Sequence, residues 1–390
     1  MASDDDRGRV LSIQSHVAYG YVGGKAATFP LQLLGYDVDG VNTVEFSNHS
    51  GYHRVGGTKA TAEELERMFS VMEQNGLLRP KRVLTGFIFG AEALAVVAHT
   101  VSRLLRHDPQ IVYLLDPVIG DAGSLYVSPD VIPVYRSLLP KASVITPNWF
   151  EVEVLTETKI EDAASLREAL TILHETHSVP NVVISSIPME QWLRDMTPPH
   201  IRSAVRDSER SLLCLASVRR TADRGGGSAP SRSPAPAPST VHAACVPFIP
   251  GYFSGVGDLF SALVLGHYRT SPSGSASPPN GAVDHTVADS DGDDDDDDDD
   301  DGRVSPSLPH AVSLALTKTH AILRLTERYA YTLPPDERTA TDDELDRKNP
   351  ERRVRRMRGR ELRLVQGRKI LSGEATGELR LLREWEDFWR

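Results

Sequence analysis

The chain has 390 residues and a formal charge of -11, and 40% of its residues are hydrophobic, enough to fill a core and to exclude wholesale disorder. Nine of its 54 acidic residues form the unbroken run 293–301; without them the formal charge is -2, so the remainder lacks the broad basic footprint of a nucleic-acid partner. The two cysteines fit neither a metal spacing nor a disulfide framework, residues 1–7 are acidic rather than leader-like, and no apolar run reaches the roughly 18 residues that span a bilayer. These features predict a protein of a reducing compartment, the cytoplasm or the nucleus, without a membrane partner.

In chain order, apolar runs of strand length at 9–13, 36–42, 82–86, 110–116, 143–146 and 181–185 alternate with helical stretches at 26–34, 61–75, 91–105 and 163–174. Thr61 followed three residues later by Glu64 has the form of a capping box. This alternation predicts βαβ crossovers and a mostly parallel sheet with helices on both faces, an α/β sandwich. Residues 212–217 and 241–249 predict an antiparallel hairpin at a sheet edge. Their connection, 219–240, is rich in Gly, Ser, Pro and Ala and reads as a disordered tip. A helix follows at 257–268. The stretch 270–309, which contains the Asp run, reads as a solvated loop because adjacent carboxylates repel and have no apolar partners; an acidic interaction tail or a metal sponge is the weaker alternative. A helical period resumes at 310–333. The basic stretch 348–360 reads as a solvated tail. The expected organisation is one domain over 7–390, with low-complexity insertions at 219–240 and 270–309 and a charged extension from about 334.

Signatures of P-loop enzymes, protein kinases, zinc proteases and nucleophile-elbow hydrolases are absent from the sequence. The informative string is 251–262, GYFSGVGDLFSA, in which Gly255 and Gly257 flank Val256 just before Asp258 and an apolar helix. Glycines let backbone N–H groups converge, and a helix N-terminus adds about half a positive charge, which together suit a phosphoryl group. Asp258 at its edge could accept a proton from an attacking hydroxyl; the plainer alternative is an N-cap Asp after a glycine turn. Asp116 and Asp121 (DPVIGD), and Thr146, Asn148 and Glu151 (ITPNWFE), stand at the ends of successive strands, where α/β sheets bind ligands. Such hard oxygen donors suit Mg²⁺ bridged to phosphates, or a monovalent cation. The polar clusters around Ser15 and around Ser50 suit a pocket for a flat polar ligand. His49 and His53 have i, i+4 spacing, but Gly51 between them argues against a helical metal pair.

In this order, the strings RVLSIQSHVAYGYVG, VNTVEFSNHSGY, DPVIGD, ITPNWFE and GVGDLFSA resemble the pyridoxal kinases of the ribokinase-like superfamily over 9–186 and 241–332, with a weaker ELRLVQ-like tail at 361–366. The resemblance implies a doubly wound α/β sandwich and a homodimer. It further implies ATP-dependent phosphorylation of the 5′-hydroxyl of pyridoxal, and of pyridoxine and pyridoxamine, by direct in-line transfer. Ser15 and Ser50 would contact the ring substituents, Val22, Val44, Phe46 and Phe87 would form an apolar wall, and Tyr126 would lie on a closing flap. Asp258 would be the base, with Gly255, Val256 and Gly257 around the transferring phosphate. Asp121 and Glu151 would organise Mg²⁺ and the ATP phosphates. Asp116, Thr146 and Ser185 would hold K⁺ or Na⁺, and Asn148, Ser185, Ser186, Phe253 and Ser254 would help hold the nucleotide. The sequence departs from the pattern in three places: the loop after Asp121 is short, Val256 stands where many members have Thr, and the insertions lengthen the hairpin and the connection after the helix that follows Asp258. A hydroxymethylpyrimidine kinase of the same superfamily and a catalytically dead binding relative are the rival readings; intact Asp258, Asp121 and Glu151 oppose the second.

Overall fold

The computed structural model describes residues 8–203, 205, 210–220, 237–269, 307–338, 343–375 and 378–390. Its first half alternates as expected: β1 (Arg9–Val17), α1 (Gly24–Leu33), β2 (Asp37–Phe46), β3 (Gly57–Lys59), α2 (Ala62–Gln74), β4 (Arg82–Thr85), α3 (Ala91–His107) and β5 (Val112–Leu115). A two-residue-strand hairpin, β6 (Gly120–Asp121) and β7 (Ser124–Leu125), precedes α4 (Val131–Leu138), β8 (Val144–Ile145), α5 (Trp149–Thr156) and α6 (Ala163–Thr171), which continues as a π turn over Ile172–Thr176. Then come β9 (Asn181–Pro188), α7 (Gln191–Met196), α8 (Pro199–Arg202), β10 (Ser211–Arg219), β11 (Ser239–Pro247), α9 (Val256–His267) and α10 (Leu308–Ala330). The last elements are α11 (Pro335–Arg338), α12 (Asp343–Lys348), α13 (Pro350–Arg358), α14 (Arg368–Ser372) and β12 (Arg383–Glu384).

Ten of the described strands form one sheet in the order β12-β11-β10-β9-β8-β5-β4-β1-β2-β3. Its centre, from β2 through β9, is parallel, and β3, β10, β11 and β12 add antiparallel pairs at the two sides. Alternation along each strand sends Leu11, Ile13, Val83, Tyr113 and Leu115 into one core with α2 to α6, and Val10, Leu84, Val112 and Leu114 into a second core with α1, α9 and α10. Strand order reverses about β1, flanked by β2 on one side and β4 on the other, which opens a crevice at the carboxyl ends of the central strands. β1 runs four residues past the expected apolar stretch because Ser12 and Gln14 are buried in it, Gln14 Nε2 donating to Ser12 Oγ at 3.3 Å. The predicted capping box at the head of α2 is present: Thr61 Oγ1 accepts from the Glu64 N–H and Glu64 Oε2 from the Thr61 N–H.

Arg219 and Thr240 belong to the paired strands, so the loop predicted at 219–240 begins and ends inside the hairpin; residues 221–236 lie outside the described residues. Leu308 and Pro309 open α10, and residues 270–306, including the Asp run, also lie outside the described residues. The solvated tail expected at 348–360 is corrected. Arg356 is 1% exposed, and it and Arg352 pair with the buried Asp346. The extension from 334 is likewise built into both cores. Leu362, Leu364, Leu371 and Leu382 pack beside α9 and α10, β12 closes the β11 edge, and Trp385 and Phe388 enter the opposite core. Apolar residues spaced between the charges, and carboxylates supplied from α12, allow a basic segment to be buried. No described helix is long and apolar enough to cross a membrane.

Candidate active site

The glycine-rich string 251–262 begins between β11 and α9 and runs into α9. Gly255 is the N-cap of α9 with φ of 78°, and a Cβ there would overlap the Tyr21 carbonyl oxygen, so both backbone shape and close packing require glycine. Val256 and Gly257 form the first turn of this twelve-residue helix, whose leading N–H groups lack intrahelical partners, and Gly257 is exposed. Asp258 lies in the same turn, its Oδ2 accepting the Gly23 N–H at 2.8 Å. Burial pushes its carboxyl above the ordinary carboxylate range, and the Gly23 N–H pulls it partly back.

Asp116, at the end of β5, is 6% exposed. Burial first, and the neighbouring Asp258 second, push its carboxyl up to about 8, against the hydrogen bond from Ser261 Oγ at 3.0 Å. Ser261 also meets Thr146 Oγ1 at 2.8 Å, so a carboxylate and two hydroxyls from β5, the β8 end and α9 converge as oxygen donors. Ser185 and Ser186 lie where β9 breaks register with β10, and the Ser185 N–H donates to the Pro147 carbonyl. Asn148 caps α5 through Oδ1 and donates Nδ2 to the Gly120 carbonyl at 2.8 Å. Glu151 closes the reciprocal cap: Oε2 accepts the Asn148 N–H, and Oε1 accepts those of Ile119 and Gly120. Oε1 therefore holds the DPVIGD turn in place, while Oε2 completes the cap of α5. Burial and Asp116 raise its carboxyl, opposed by those backbone donors. Asp121 is exposed at the tip of the β6–β7 hairpin, with Oδ1 accepting the Ala122 N–H. The short loop after it closes tightly because Ala122 and Gly123 adopt positive φ, leaving Tyr126 exposed beside Asp121 and Tyr252. Among the described residues no three His, Cys, Asp or Glu side chains gather as a complete metal cage.

On the β1–β2 side of the crevice, Ser15 stands near the end of β1 under the Gly23 backbone, whose Cβ would overlap it. Val22 follows on the turn that carries Gly23. Val44 is buried on β2, Phe46 is half-buried at its end, and the Thr43 hydroxyl donates to the carbonyl of the half-buried Phe87. Ser50 is exposed on the loop after β2. Ser254 and Phe253 sit on the glycine-rich loop before α9; the Ser254 hydroxyl meets His49 Nδ1 at 3.1 Å, and Phe253 lines a small cleft with Tyr331, Arg338 and Arg360 of the C-terminal part. His49 is not one of a metal pair: its loop is irregular, and its ring bonds to Ser254, the Gly51 N–H and Glu361. Sequence reasoning missed Ser261, Gly23 and Glu361. Ser261 stands within the GVGDLFSA string and Glu361 opens the ELRLVQ tail, which were the available signals.

Residues 43–228 match the family model described as phosphomethylpyrimidine kinase. A pyridoxal kinase of Arabidopsis thaliana is 39% identical over 267 residues, 68% of this chain and 76% of the relative. A pyridoxal kinase of Sus scrofa is 38% identical over 269 residues, 67% of this chain and 75% of the relative. Among solved structures, pyridoxal kinase from Leishmania donovani in complex with ADP and pyridoxine matches with a TM-score of 0.69 at 28% identity, covering 98% of this chain and 100% of the other.

Proposed function

The chain belongs to the pyridoxal kinase family, and from that premise we propose how its own residues transfer the γ-phosphoryl group of ATP to the 5′-hydroxyl of pyridoxal. The observation that carries the reading is Asp258, held by the Gly23 N–H at the head of α9, between the glycine turn and the Ser15–Val22 side of the crevice. Asp258 takes the proton as the substrate hydroxyl oxygen bonds to the γ-phosphorus and the bond to the bridging oxygen of ATP breaks, releasing ADP. Backbone N–H groups of Val256 and Gly257 and the helix terminus stabilise charge on the transferring group. Ser15 and Ser50 orient the ring, with Val22, Val44, Phe46 and Phe87 as its apolar wall. Tyr126, Asn148, Ser185, Ser186, Phe253 and Ser254 border the space left for the flap and the nucleotide.

The donor set fits the ions the reaction class uses. An exposed carboxylate at Asp121 suits Mg²⁺ shared with the ATP phosphates, while Glu151, with both oxygens engaged by backbone, holds the Asp121 turn. When bound, the ion neutralises phosphate charge. Asp116, Thr146 and Ser185 suit K⁺ or Na⁺, and a buried carboxylate raised to about 8 is the kind of group a cation would stabilise. A cytoplasmic location suits the two buried free thiols, Cys214 and Cys245, which burial pushes up to about 12 and about 11. The family resemblance supports a homodimer, which light scattering on the purified protein would test.

The family-model description keeps hydroxymethylpyrimidine as the rival substrate. Purified protein with ATP, Mg²⁺ and K⁺ should form pyridoxal 5′-phosphate, with kcat/KM for pyridoxal well above that for hydroxymethylpyrimidine. The reverse order would assign the chain to the rival chemistry, and no turnover of either would favour the binding relative.

A further inference from the structure

Glu361 enters the substrate side of the crevice from a segment more than 300 residues away in sequence. Its side chain is 11% exposed. Oε2 accepts the Tyr21 N–H at 2.9 Å; Oε1 accepts the Tyr52 hydroxyl at 2.7 Å and meets His49 Nε2 at 3.1 Å. Gly20, with φ of 93°, leaves room for this carboxylate, since a Cβ there would overlap both oxygens.

The three contacts reach different parts of the site. Tyr21 precedes Val22 and Gly23, the residues of the apolar wall and of the hydrogen bond to Asp258. Tyr52 closes the loop that presents Ser50. His49 is the junction: the Gly51 N–H donates to Nδ1 at 3.1 Å, so that nitrogen carries a lone pair and Nε2 carries the proton, which it donates to Glu361. With Nδ1 an acceptor, the Ser254 hydroxyl at 3.1 Å donates to it as well. The Gly51 N–H and the Glu361 carboxylate together hold the tautomer that ties the Ser50 loop to the phosphate loop next to Gly255. On the α13 side, Arg353 Nε donates to the Gly51 carbonyl at 2.7 Å, fastening the same loop a second time.

Resting on the pyridoxal reading above, we propose that Glu361 is a positioning residue that, through His49, sets the pyridoxal-binding loops 19–23 and 49–52 against the phosphate loop. Glu361→Gln cannot satisfy the network: an amide oxygen facing Tyr52 and His49 puts its NH₂ against the Tyr21 N–H, and the opposite orientation drives His49 to the other tautomer, against the Gly51 N–H. Charge-assisted bonds of this kind are the strong ones, so Glu361→Gln should raise KM for pyridoxal at least about tenfold and leave KM for ATP within about threefold. In ¹⁵N spectra of histidine-labelled protein, with His49 assigned by its loss in His49→Gln, the wild type should show a protonated Nε2 and a bare Nδ1, and Glu361→Gln should shift the Nε2 resonance or reverse that pattern. Unchanged KM for pyridoxal with an unchanged tautomer overturns the proposal, as does an equal rise in both KM values. Should Glu361→Gln not fold, Tyr52→Phe, which removes one donor and buries no charge, should still raise KM for pyridoxal alone by about threefold, and no such split overturns the proposal. A wild type that turns over no pyridoxal would defeat the functional reading, while the tautomer measurement would still decide the role of Glu361.

Discussion

Asp258→Asn retains the shape of the side chain and an oxygen for the Gly23 N–H, and removes the carboxylate proposed as the base. Loss of a general base costs on the order of 10²–10⁴-fold in rate, so kcat should fall by that factor with KM for ATP little changed; more than about a tenth of wild-type kcat would remove Asp258 from this role. Val256 tests the opposite expectation. Its side chain offers no donor, but the helix terminus and the backbone of the glycine turn do not depend on it, so Val256→Thr should change kcat by less than about tenfold in a steady-state assay. The glycine turn before an apolar helix was legible from spacing, but spacing left an N-cap Asp as an equal alternative, and the roles of both residues came from the resemblance. The electrostatics were not legible: burial raises both Asp258 and Asp116, Asp258 raises Asp116 further, and nothing in their local strings says that β5 and α9 meet. Ser254 shows the same limit. Its string suggested a phosphate neighbour, and its hydroxyl turns to His49, brought from the loop after β2.

Elements with a periodic apolar face, such as α2 and α3, were readable, whereas α5 was not, since six of its eight residues are buried and it shows no polar side. The Thr61 box at the head of α2 was readable for the converse reason: both its partners lie within four residues, and Thr61→Ala should lower stability by about 1 kcal/mol in a denaturant titration. The long helix α10 carries a pH-dependent feature that its sequence hides. Burial, then Arg380 and Arg324, lower the His320 pKa from 6.5 to about 4, and its Nε2 is buried without a hydrogen bond among the described residues. A histidine depressed in the folded state contributes stability above its unfolded pKa, and that contribution is lost as pH falls from about 6.5 towards about 4. His320→Leu should therefore lose less thermal stability than the wild type between pH 7 and pH 4.5. Parallel melting curves for the two proteins across that range would contradict the assignment.

At the scale of the molecule, the C-terminal segment is a structural strap: it fastens the substrate loop through Arg353 and Glu361, packs on α9 and α10, adds β12 to the sheet edge and seats Phe388 between Trp385 and Trp389, each ring 5.1 Å away. Phe388 is fully buried, and Phe388→Ala should cost about 3–5 kcal/mol, read as a lower denaturation midpoint. A midpoint within experimental error of the wild type would mean that the strap does not bear on the core. By itself the sequence determined the alternation of strand and helix, the glycine turn at the head of α9, the strand-end carboxylates and the family they resemble, because each is encoded within a dozen residues by period, backbone stereochemistry or side-chain chemistry. Only the tertiary structure decided that a basic extension would be buried rather than solvated, that a Glu151 oxygen would hold the DPVIGD turn, and that Glu361 would reach His49. Those outcomes depend on which distant surfaces the sheet brings into contact, and on the low-dielectric surroundings that contact creates, neither of which is written in the neighbouring residues.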